Sequence, residues 1–66
     1  MINTFYIANN KTKQASILQT EQTRDDIWQE VDTSVDIVNI CPSTEHAQNL
    51  IVRMNMEYVP YDTFIK

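Results

Sequence analysis

STEHAQNLIVRMNMEY, residues 43–58, is the stretch on which the fold turns. Ala47, Leu50, Ile51, Met54 and Tyr58 recur at the three-four spacing that stacks side chains on one face of a helix, while Gln48, Asn49, Arg53, Asn55 and Glu57 fill other positions. The pattern is that of an amphipathic helix with a core-facing stripe. Ser43 is a good N-cap, and Glu45 puts negative charge where the helix dipole favours it. Pro42 bars an earlier start, and Pro60 marks the far limit because the residue before a proline is pushed out of the α region. The spacing predicts one long helix over 44–57. Burying five such side chains is worth about 10 kcal/mol gross at roughly 2 each. Ordering the backbone, at about 1–2 kcal/mol per residue, costs more. The helix therefore needs a surface supplied by the rest of the chain.

That surface reads as a small sheet. Ile2 to Ala8 is rich in β-branched and aromatic residues and predicts a strand. Asn9-Asn10-Lys11-Thr12-Lys13 predicts a turn, in which an asparagine takes the left-handed conformation that glycine would otherwise supply. Gln14 to Thr20 returns as a second strand, making an N-terminal antiparallel hairpin with lysines at its tip. Val35 to Cys41 is nearly continuous in apolar residues, which predicts a central strand buried on both faces. Residues 58–65 predict an edge strand, where the missing donor of Pro60 does least harm. Between them, 21–33 reads two ways. Thr23 and Asp26 resemble a capping box with Ile27, Trp28 and Val31 at helical spacing, predicting a short helix over 24–31. Alternation over 27–31 leaves a strand open. The class is α+β: a small antiparallel or mixed sheet packed by one long helix.

The length of 66 residues sets one small domain over 1–66, which buries only about 60% of its unfolded surface. An apolar fraction of 42% with 21% charged residues is ordinary for a chain that folds. No apolar run approaches a membrane span, and the first residues lack the features of a secretory signal, so a cytoplasmic location is expected. Cys41 is the only cysteine, which excludes an internal disulfide.

Glycine is wholly absent. Phosphate-cradling loops, dinucleotide fingerprints and nucleophile elbows all need its freedom, so those chemistries are missing in their standard form. Cys41 and His46 form the one nucleophile and base pairing to weigh, and the spacing matches no dithiol or phosphate-loop motif. The reading preferred is a buried strand-end thiol and a surface histidine. Asp25 and Asp26 are neighbours about 100° apart on a helix and do not face one another. No metal site is expected from one cysteine, one histidine and aspartates without loop spacing. No catalytic residue, cofactor or metal follows from the sequence.

The charge is more informative. Net charge is −4, and six of the nine acidic residues lie in one stretch as Glu21, Asp25, Asp26, Glu30, Asp32 and Asp36, opposed there only by Arg24. With five cations in all, the chain is poorly suited to nucleic acid, although Lys11 and Lys13 with Tyr6 form the place such binding would use. Trp28 in the acidic stretch fits either the core or an aromatic anchor ringed by carboxylates. The expected function is a non-enzymatic interaction protein that binds a larger protein with a basic surface. Glu21, Asp25, Asp26, Trp28, Glu30, Asp32 and Asp36 are its expected contact residues. Tyr58, Tyr61 and Phe64 add aromatic surface to that expectation. In size and composition alone, the chain resembles small inhibitors that bacteriophages and mobile elements encode against host or defence machinery, including anti-CRISPR proteins. The resemblance would imply a host cytoplasm. The alternative is a self-associating module, a homodimer paired through an exposed strand or the 58–65 tail.

Overall fold

Phe5, Tyr6, Ile7 and Ala8 form the buried middle of strand β1 (Asn3–Asn9). The computed structural model describes residues 1–66. Strand β2 (Gln14–Thr20) pairs antiparallel with β1 on one side, and β3 (Ile37–Cys41) pairs antiparallel on the other. A two-residue strand, β4 (Glu57–Tyr58), runs parallel to β2, giving the order β3-β1-β2-β4 in a mixed sheet. Two helices complete the α+β fold: α1 (Arg24–Glu30) and α2 (Thr44–Arg53).

Alternation along β1 divides the interior in two. Phe5 and Ile7 point to one face, where they meet Ile27 and Val31 from α1 and its end, Val38 from β3, and Val59 and Phe64 from the C-terminal segment. Tyr6 and Ala8 point to the other face, with Ala15, Cys41, Met56 and the α2 residues Ala47 and Ile51. Each helix covers one side of the sheet. The helix expected to be long, over 44–57, is corrected to the ten residues of α2, and it shares the sheet with the expected short helix α1, one on each face.

The strand expected at the centre is at the edge. The continuous apolar run in Val35–Cys41 suggests burial on both faces, yet β3 begins at Ile37 and leaves Asn39 and Ile40 exposed. The strand buried on both faces is β1, whose run Phe5–Ala8 carries the same signal.

The helix α2 is capped at Ser43, whose Oγ accepts from the His46 backbone N–H. It stops at Arg53, four residues short of the expected limit. Asn55 adopts φ 56°, the Asn55 N–H donates to the Val52 carbonyl, and the Met56 N–H donates to the Ile51 carbonyl. These are the paired bonds of a Schellman ending, here built on asparagine. Burial of Met56 with Ile51 in the second core seals it. As a result Met54 and Tyr58, expected on the buried stripe, are 41% and 61% exposed.

The 58–65 segment is an edge strand only at its start. Pro60 leads into a 3-10 turn, Tyr61–Phe64, that buries Phe64, and Ile65 then forms a bridge with Val31. The turn after β1 also differs in detail. Asn9 keeps extended backbone and uses its Oδ1 to accept from the Lys11 and Thr12 N–H groups, while Lys13 takes the positive φ of 59°. For residues 21–33 the helix reading holds. Thr23 Oγ1 accepts from the Asp26 N–H and Asp26 Oδ2 accepts from the Thr23 N–H, a complete capping box with Asp at the third helical position.

Candidate interaction surface

The acidic residues occupy α1 and the two segments that flank it. Glu21, Asp25, Asp26, Asp32 and Asp36 are exposed and Glu30 is half-buried. Helical geometry puts Asp25 and Asp26 in the first turn, where the dipole favours them, and buries Ile27 beneath. Asp62, on the 3-10 turn, adds an exposed carboxylate from the segment that packs under the same core.

The carboxylates divide by what else they do. Asp26 closes the cap. Asp32 Oδ1 accepts from the Ser34 N–H at 2.9 Å and from Thr33 Oγ1, holding the turn after α1. The Ser34 N–H bond, with smaller help from Thr33 and Lys66, lowers the Asp32 pKa. A carboxylate held low in the folded state stabilises above the unfolded pKa, and that contribution fades as pH falls through the folded value. Asp36 Oδ1 accepts from the Asn10 N–H at 3.0 Å, tying the hairpin tip to the start of β3. Glu30 accepts from Gln22 Nε2. Glu21 and Asp25 take no part in these internal bonds, so their charge is free to act on something outside.

Arg24 is the only cation in the stretch, and its Nε donates to the Val38 carbonyl at 2.6 Å. Its guanidinium is thereby drawn to β3 and held against backbone.

Trp28 is half-buried, packed against the first core with the rest of its ring toward solvent. Tyr61 packs on the same core. Its hydroxyl is buried without a hydrogen-bond partner and faces Glu30; burial first, and the Glu30 charge second, raise its pKa. Phe64 is fully inside and is withdrawn from the aromatic surface expected of it. Tyr58 lies apart, on the α2 side, where it lines an open apolar groove with Gln48, Ile51 and Val52. The sequence pattern misses this groove because it assigns Tyr58 to a helix that has already ended.

Cys41 is buried at the end of β3, and burial raises its thiol pKa against the opposing pull of the Tyr6 backbone. The thiolate, which is the nucleophilic form, is thus disfavoured. His46 sits exposed in the first turn of α2. No three His, Cys, Asp or Glu side chains converge as a metal-holding group, and no helix is long and apolar enough to cross a membrane. No protein-family model matches the chain, and no curated protein or solved structure does.

Proposed function

We propose that this chain is a non-enzymatic interaction protein, whose acidic α1 face docks on the basic surface of a larger protein and modulates or inhibits it. One observation carries the reading. The carboxylates of residues 21–36 stand at the surface around α1, while the single cation among them is engaged at the Val38 carbonyl. A predominantly negative field of that kind speeds encounter with an oppositely charged surface and selects against acidic ones. Trp28 supplies the half-exposed aromatic that such contacts use as an anchor. The size and charge suit an inhibitor of host or defence machinery encoded by a mobile element, and that is the setting we propose.

The test is capture of a partner from native lysate by the tagged protein at about 50 and 300 mM salt, a range over which the Debye length falls from roughly 14 to 6 Å. Beside it run Trp28→Ala and a variant with Glu21 and Asp25 changed to lysine. A basic partner retained at low salt, reduced at high salt and lost on charge reversal is the expected result. A partner retained equally by the charge-reversed protein refutes the acidic-face reading.

A further inference from the structure

Backbone groups alternate from side to side along a strand, and this fixes what the outer edge of β3 presents. Ala15 of β2 gives its carbonyl to the Val59 N–H, and Lys13, just ahead of β2, gives its carbonyl to the Glu57 N–H. These residues face β4, so Gln14 and Ser16 face β1. Their partners Asn9 and Ile7 face β2, which turns Ala8, Tyr6 and Thr4 toward β3. Across the second register, Ile37, Asn39 and Cys41 face β1, and the peptide groups of Val38 and Ile40 point outward. The Arg24 bond to the Val38 carbonyl fits that direction.

Ile40 is 61% exposed, and no strand lies beyond it. Its register partner Phe5 belongs to the core beneath α1, so the Ile40 side chain stands on the α1 side of the sheet. Next to it Ile2, Thr4, Cys41 and Pro42 line an open hollow of about 500 Å³. Because Arg24 is the first residue of α1, its bond brings the first turn, with Asp25 and Asp26, to this same edge.

We propose that the β3 edge accepts an extended, basic segment of the protein partner as an added strand. Outward groups of Val38 and Ile40 would bond its backbone, an apolar side chain would lie against Ile40, and cationic side chains would meet Asp25 and Asp26. The inference rests on the acidic-face reading and specifies how the partner is held. In strand addition the main chain gives affinity and alternate side chains give selectivity.

Charge decides the occupant. Two copies joined through β3 about a two-fold axis normal to the sheet would set one α1 beside the other, with like charges together and a net −4 on each chain. Arg24 at the edge is outweighed by Glu21, Asp25 and Asp26, so that end of α1 stays net negative, and a cationic strand gains attraction where a second copy meets repulsion. Arg24 then acts as an edge guard, a charged side chain that covers an unpaired carbonyl until the incoming strand displaces it.

The experiment is a titration of the isotope-labelled protein with a short peptide that alternates lysine and valine at every second position, with threonine between them, so that both kinds of side chain face the α1 side, followed by amide NMR. A second peptide carries N-methyl groups on alternate residues, so that it cannot donate from one edge. The expected result is shifts centred on the Val38 and Ile40 amides, with the methylated peptide weaker by about tenfold or more. Arg24→Ala should tighten binding of the unmodified peptide several-fold.

Equal affinity for the methylated peptide, absence of shifts at β3, or shifts confined to Gln48, Val52 and Tyr58 would overturn strand addition. The acidic-face reading would survive those results if charge reversal of Glu21 and Asp25 still abolished partner binding. Concentration-dependent dimerisation of the free protein with shifts at Val38 and Ile40 would replace the basic strand by a second copy.

Discussion

Lys13 and Asn55 do the work of glycine in a chain that has none. Asparagine is suited to it, since its short polar side chain tolerates the left-handed region. Lysine is not, because its Cβ crowds the following carbonyl, and Lys13 holds φ 59° only because the turn demands it. The Lys13 Nζ bond to Asn10 Oδ1 at 3.2 Å is exposed and offsets little of that cost. Replacing Lys13 with glycine should therefore raise stability by about 0.5–1 kcal/mol, after the extra entropy that glycine has in the unfolded chain. A urea midpoint that moves down would show that the strain is absent. At this scale the sequence announces a turn at 9–13 but does not reveal which residue bears the positive φ. Asn9 is drawn into accepting two backbone bonds instead, a competition between local options that only the closed hairpin resolves.

Helix α1 has seven residues, too few to persist in water without packing and caps. Loss of its capping box should be felt directly. Thr23→Ala should cost about 1 kcal/mol of folding stability and speed hydrogen exchange of the first-turn amides. An unchanged stability would mean that the box is ornamental and that Ile27 alone holds the helix. This element was legible from Thr23, Asp26, Ile27 and Val31 because cap and core spacing agree. The hairpin was equally legible, with β2 matching its expected span and β1 displaced by one residue. What escaped are relations between elements. The run Val35–Cys41 looks central, but a strand's place depends on its neighbours, and no neighbour forms beyond β3. The end of α2 escaped because Pro60 is the conspicuous breaker while Asn55 is the effective one. A parallel β4 is a consequence of α2 crossing back over the sheet, which no local pattern encodes.

Across the whole molecule, a sheet covered on both faces leaves few surfaces free for a partner. The α1 side presents the acidic stretch, and the α2 side presents the groove beside Tyr58. The uneven charge was visible in the sequence as six carboxylates between Glu21 and Asp36. Their unequal roles were not, because Asp26, Asp32 and Asp36 are bound into cap, turn and hairpin only once the chain has folded. Glu21 and Asp25 remain as the charges with no internal bond. The most direct measurement is the affinity for the captured partner across a series of salt concentrations, for the wild-type chain and for a variant carrying Glu21→Lys and Asp25→Lys. The acidic-face account predicts a steep loss of wild-type affinity with salt, and a variant weaker by about tenfold or more with a shallower dependence. Equal affinities and equal slopes for the two proteins would contradict it.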